Sequence, residues 1–129
     1  MAPVSGVRLP SPCPTTRPVP LLTIHGTFDL TDPYQGHGQY HWTYSVPTAV
    51  ALWGAHDGCS GPRATALPGL DTVVSTYARC PAGVSVELYT VVGSGHEWPG
   101  SAYNVEPPTT QVLQANNVIW AFFAAHPMA

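Results

Sequence analysis

Hydrophobic and polar positions alternate along this chain in blocks that predict both strands and helices. The run Pro20-Leu21-Leu22-Thr23-Ile24-His25-Gly26 is short, largely apolar and closed by glycine, as expected of a strand buried on both faces of a parallel sheet. Thr27 to Gln39, carrying Asp29, Asp32, Pro33, Gly36 and Gly38, reads as loop. Ser45-Val46-Pro47 then opens a helix: serine caps it and proline is tolerated in the first turn. Ala49, Val50, Leu52, Trp53 and Ala55 carry that helix on, and Gly58 ends it. Cys59 to Pro68 has no clear period and is expected to be loop. Asp71 to Tyr77 and Val84 to Val92 are rich in β-branched residues and predict two strands, joined tightly through Cys80-Pro81-Ala82-Gly83. Gly93 to Pro108 is expected to be a long loop. The last element is a helix over Thr109 to Ala125, with Val112, Leu113, Val118, Ile119, Phe122 and Phe123 as its apolar stripe. Thr109 or Thr110 can cap it, and Pro127 bars its extension.

The order strand, helix, strand pair, helix belongs to the α/β class. Two helices over two or three strands leave sheet surface and an edge uncovered, so the pattern reads as half of an α/β sandwich. The first eighteen residues stand apart. Pro3, Pro10, Pro12, Pro14, Pro18 and Pro20 crowd the opening, and each removes an N–H and restricts its predecessor. Residues 1–18 therefore read as an extended segment, and residues 19–129 as the α/β portion. No internal repeat is visible.

Composition narrows the functional classes. Of 129 residues 44 % are hydrophobic, which argues against a disordered chain, while only 9 % are charged and none is lysine. A formal net charge of −3 and no basic cluster argue against nucleic acid as a partner. No apolar run approaches the ~20 residues that span a bilayer, so no membrane partner is expected. Met1 to Gly6 lacks the basic and apolar regions of a signal peptide. Three cysteines, Cys13, Cys59 and Cys80, are an odd number, which leaves one over if the chain is exported.

Two loops that follow predicted strands carry the chemistry. One is His25-Gly26-Thr27-Phe28-Asp29-Leu30-Thr31-Asp32-Pro33-Tyr34, the other Gly93-Ser94-Gly95-His96-Glu97-Trp98-Pro99-Gly100. In open α/β sheets, working residues sit beyond the carboxyl ends of the strands. The first loop resembles the HGTxDxxVPY motif, and the second the GGGHxWPG motif, of esterases with the α/β-hydrolase fold. Val118 to Pro127 resembles their closing helix, and Trp53 with Cys59 and Tyr77 with Cys80 resemble their cysteine-bearing middle. The likeness runs from about Arg17 to Pro127. The group it points to contains poly(3-hydroxybutyrate) depolymerases, type C feruloyl esterases and related acetylxylan esterases.

That resemblance implies a partial α/β-hydrolase fold, the C-terminal strands and helices of a mostly parallel sheet. It assigns Asp29 as the acid and His96 as the base of a Ser-His-Asp triad, with acid before base in the expected chain order. No G-x-S-x-G nucleophile elbow occurs in the sequence. Ser94 lies between glycines, but at the wrong spacing and in a loop that runs straight into His96. The expectation is the C-terminal half of a secreted serine esterase, inactive alone, whose partner is the missing N-terminal half of the same enzyme. Its ester substrate would be an aliphatic polyester or a feruloyl or acetyl ester of plant polysaccharide. The resemblance also implies an extracellular location, no cofactor and a Cys59–Cys80 disulfide, with free buried thiols as the alternative. Cys13 is then left over, and in a complete enzyme its partner could lie in the missing half.

Other residues have simpler alternatives. Asp29 alone could be a turn former and His96 a solvated loop histidine. Asp32 is a turn former or a rival acid. His25 is expected to pack under the acid loop. His37 and His41 are four apart but in a Gly- and Tyr-rich stretch, and no zinc-like spacing occurs, so no metal is expected. Trp98, and with it Tyr34, are candidate substrate contacts; Trp98 could equally buttress its loop. Tyr40, Trp42 and Tyr44 form an aromatic rim or ordinary surface packing. The rival function is a non-catalytic remnant or a small binding module, including a carbohydrate-associated one.

Overall fold

The computed structural model describes residues 1–11, 13, 16–67, 71–103 and 109–127. The chain forms strand β1 (Leu21–Gly26), helix α1 (Val46–His56), strands β2 (Ser60–Ala66), β3 (Thr72–Ala78) and β4 (Val86–Val91), and helix α2 (Ala115–Ala125). The strands make one mixed sheet in the order β1-β4-β3-β2. β1 and β4 are parallel, with Leu21 opposite Val86 and Gly26 opposite Val91. β3 runs antiparallel to both β4 and β2, so only the β1–β4 pairing is parallel and the sheet is mixed, not mostly parallel as expected.

β1 is buried at every position, which is why its sequence does not alternate. Successive side chains point to opposite faces. Leu21, with Val86 and Leu88 of β4, packs against Val46, Ala49, Val50 and Trp53 of α1, together with Trp42 and Val7. Leu22 and Ile24, with Val91, pack on the other face against Leu113, Ala115 and Phe122. The molecule is thus a small three-layer α/β domain with one helix on each face of the sheet.

α1 begins as expected: the Ser45 side chain accepts a hydrogen bond from Thr48 N at 3.2 Å, and proline stands in the first turn. Gly58 follows in a left-handed conformation (φ 74°), which suits glycine. Two boundaries differ from expectation. The stretch after Cys59 is not loop but the edge strand β2, paired with β3 and irregular between Ser60 and Pro62. An edge position tolerates proline, so nothing in Ser60-Gly61-Pro62-Arg63 had to look like a strand. Pro68 lies outside the described residues. α2 starts at Ala115, not Thr109. Thr110 is buried and bonded elsewhere: its N–H donates to Ser94 Oγ at 3.0 Å, and its carbonyl accepts from Gly100 N at 2.9 Å. Gln114 takes the N-cap position without a side-chain cap bond.

The proline-rich opening contains no helix among its described residues. Val4 bridges to Ile24 in parallel, Ser5 N donates to Ile24 O at 2.9 Å, and Leu22 N and Ile24 N donate to Met1 O and Pro3 O at 3.0 and 3.2 Å. These residues satisfy the side of β1 that faces away from β4. Cys59 and Cys80 form a disulfide that joins the segment after α1 to the end of β3.

Candidate active site

The loops that follow β1 and β4 lie side by side because those strands are parallel neighbours. They are also bonded to each other. Thr27 N donates to Val91 O at 3.0 Å and Phe28 N to Ser94 O at 2.9 Å. Gly93 N donates to Thr27 Oγ1 at 2.9 Å. Gly26 makes this approach possible: a Cβ there would overlap the Ser94 carbonyl and stand 2.6 Å from Gly95 O.

This stitching brings Asp29 and His96 together. His96 Nδ1 is 2.9 Å from Asp29 Oδ2. The Asp29 side chain is fully buried, while the His96 side chain is 40 % exposed. The other carboxylate oxygen, Oδ1, accepts from Thr31 N at 2.9 Å and Asp32 N at 2.7 Å, a turn closed by the aspartate itself. Beneath it, buried His25 donates from Nε2 to Asp32 O at 2.9 Å and also stands 3.1 Å from Asp29 Oδ2. Both partners are acceptors, so His25 carries its proton on Nε2. The His25 ring stacks on Trp42 and meets Tyr34 edge-on.

Burial alone would push the Asp29 carboxyl up. Hydrogen bonds from His25, the Asp32 N–H and His96, with the charge of His96, outweigh it and hold the group below the usual carboxylate range. Asp29 is therefore an anion at neutral pH, and an anion only accepts. His96 must then carry a proton on Nδ1. In the neutral ring that leaves Nε2 as a base, and Nε2 has no hydrogen bond among the described residues.

The other expected site residues fall in different places. Trp98 is 44 % exposed and donates from Nε1 to Asn116 Oδ1 at 3.0 Å, which ties the His96 loop to α2. Tyr34 packs against the α1-side core and its hydroxyl bonds to Thr90 Oγ1 at 2.7 Å. Asp32 meets Asp29 through its backbone N–H, and a hollow of about 650 Å³ along this loop is lined by Asp32 but by neither Asp29 nor His96. Ser94 is buried, with its hydroxyl held by Thr110 N. Of the rim residues, Trp42 is buried and Tyr40 exposed. Among the described residues, no group of three His, Cys, Asp or Glu side chains is placed to hold a metal ion, and no helix is long and apolar enough to cross a membrane.

Two contributions were not apparent from the sequence. The Thr31 and Asp32 N–H groups fix Asp29 through backbone geometry that side-chain pattern does not encode. Arg8 lays its guanidinium over the Trp42 ring at 3.2 Å from the centroid, under the same loop. No family model matches this chain, and no curated protein matches it either.

Proposed function

We propose that this chain is the acid–base portion of a serine esterase of the α/β-hydrolase type, acting on carboxylic esters. The observation that carries this reading is the 2.9 Å contact between His96 Nδ1 and Asp29 Oδ2, in which a fully buried carboxylate orients a partly exposed imidazole. In such a pair the ring accepts the nucleophile's proton at Nε2 and returns it to the leaving alcohol. The carboxylate fixes the tautomer and stabilises the imidazolium that forms between the two steps. No G-x-S-x-G elbow occurs in this sequence and Ser94 is buried and bonded, so on this reading the nucleophilic serine and its oxyanion donors come from other polypeptide. The chain order of Asp29 and His96 and the loops that carry them agree with that architecture. A polyester or a feruloyl or acetyl ester of polysaccharide is the substrate class, with Trp98 at the rim. The Cys59–Cys80 disulfide accords with an exported enzyme.

The test uses two polypeptides. The 129-residue chain should turn over neither p-nitrophenyl butyrate nor methyl ferulate in a phosphonate-sensitive way. A polypeptide extended upstream in the same reading frame to include a G-x-S-x-G segment should hydrolyse at least one of them, and H96A should abolish that activity. Turnover by the short chain that a serine-directed phosphonate blocks, or an extended enzyme indifferent to H96A, would overturn the reading.

A further inference from the structure

β1 is buried at every position, yet it carries an imidazole at His25. The His25 side chain is fully buried, and a buried polar group is costly to leave incompletely bonded. Its Nδ1 has no partner among the described residues. The hydrogen bonding of the ring leaves from Nε2 alone, toward Asp32 O at 2.9 Å and Asp29 Oδ2 at 3.1 Å. Both acceptors belong to the acid loop, so the polarity of this side chain serves that loop and not the core around it.

The ring is also held on its flat sides. It stacks on Trp42 with centroids 5.7 Å apart, and Tyr34 meets it edge-on at 6.0 Å. Both neighbours are themselves tied down. Trp42 Nε1 donates to Pro33 O at 2.8 Å, and the Tyr34 hydroxyl bonds to Thr90 Oγ1 at 2.7 Å. Asp29 Oδ1 is pinned by the N–H groups of Thr31 and Asp32, which leaves the direction of Oδ2 to be set by its own partners. Two imidazoles reach that oxygen. One is fully buried and boxed by aromatic rings, and the other, His96, is 40 % exposed on a loop. The boxed ring is the fixed one, so it directs Oδ2 and His96 aligns to the result.

We propose that His25 is the positioning residue of the Asp29–His96 pair: its Nε2–H holds Oδ2 in the direction from which His96 Nδ1 can donate to it. Without that donor, Oδ2 is free to turn away while Oδ1 stays with the backbone, and His96 keeps its orientation only through a contact on the exposed side. The effect on the His96 ring stands on the geometry of this chain. The effect on turnover rests on the esterase reading, and the experiment separates the two.

Three variants distinguish the donor from the volume of the ring. Leucine fills the space and donates nothing, asparagine is too short to reach, and the glutamine amide nitrogen replaces Nε2 with an N–H for each acceptor. Nitrogen-15 NMR of the full chain at pH 7 reads the His96 ring. In H25L and H25N the His96 Nδ1 proton should exchange with solvent about tenfold faster or more than in wild type, and in H25Q within about twofold of it. A wild-type His25 ring protonated on Nδ1 overturns the proposal without requiring any variant to fold. So does a folded H25L or H25N whose His96 proton exchanges at the wild-type rate, or an H25Q chain that exchanges as fast as they do. In an extended polypeptide carrying the G-x-S-x-G segment, H25L should lower kcat by about ten- to a hundredfold with KM unchanged, and H25Q should restore it. An active, H96A-sensitive enzyme in which H25L keeps full kcat overturns the positioning role. An inactive extended polypeptide whose His96 ring responds to H25L as expected overturns the esterase reading and leaves the positioning role standing.

Discussion

Replacing Asp29 by asparagine tests the site at its centre, because the change keeps the shape and reverses the hydrogen-bonding of one atom. The carboxylate faces four donors: Thr31 N at 2.9 Å, Asp32 N at 2.7 Å, His25 Nε2 at 3.1 Å and His96 Nδ1 at 2.9 Å. The two backbone donors cannot change, so the asparagine oxygen must stay with them. Its NH₂ then points at both imidazoles. His96 is exposed enough to answer by moving its proton to Nε2 and accepting at Nδ1. His25 cannot do the same without abandoning the Asp32 carbonyl, to which it donates at 2.9 Å. One buried polar group is left unsatisfied whichever way His25 settles, which costs about 1–3 kcal/mol.

D29N should therefore be about 2 kcal/mol less stable than wild type in urea denaturation at pH 7. The gap should close in acid. The folded carboxyl takes its proton at lower pH than the unfolded one, whose ordinary value is about 3.9. As pH falls through that ordinary value the unfolded chain gains the proton first, and the stabilising contribution of the carboxylate declines. It is gone below the depressed folded value. Nitrogen-15 NMR of the His96 ring supplies an independent readout: Nδ1 protonated in wild type, Nε2 protonated in D29N. In an extended, active enzyme the same tautomer change should lower kcat by about 10⁴. A D29N chain within about 0.5 kcal/mol of wild type at pH 7, or an unchanged His96 tautomer, would refute this account of how the carboxylate is held.

Three further perturbations follow from the packing. G26A should destabilise the chain by about 3 kcal/mol in thermal or urea melts, because its methyl group meets the Ser94 carbonyl and Gly95 O, and it should weaken the His96–Asp29 hydrogen bond seen by NMR. Reducing the Cys59–Cys80 bond, which spans a sequence separation of 21, should cost about 3 kcal/mol, measured as the shift in urea midpoint with and without dithiothreitol. W120E should reduce self-association in light scattering at high concentration with little effect on the melt, since Trp120 is 76 % exposed beside the 45 % exposed Phe123 on α2.

The sequence revealed those elements whose own residues determine them. β1 was legible because both its faces are covered, and that coverage requires an unbroken apolar run. α1 was legible because its cap, its first-turn proline and its terminal glycine are local signals. β2 was hidden because its pairing is imposed by β3, and an edge strand with one neighbour can be built from Gly, Pro, Arg and small residues. The start of α2 was hidden because Thr110, a good cap in isolation, is claimed by Ser94 and Gly100. The burial of Val7 was also hidden: it follows from backbone bonds between the proline-rich opening and β1, and such bonds leave no periodicity.

The candidate site divides along the same line. Strand-end position and the motif resemblance singled out Asp29 and His96, but their contact depends on β1 and β4 being neighbours, although α1, β2 and β3 separate them in the chain. Sheet order of that kind follows from which strands can bury their faces together. Once the order is set, the pair is held by groups inside this chain alone. Oδ1 is fixed by the backbone of its own loop, and Oδ2 has His25 beneath it. The His96 loop is bound to the Asp29 loop through Thr27, Phe28 and the space left at Gly26, and to α2 through Trp98. None of these contacts involves a nucleophile. An Asp29–His96 contact supported in this way is organised wholly by these two loops and what lies beneath them, so the orientation of the His96 ring is a property of this chain and of nothing it would have to bind.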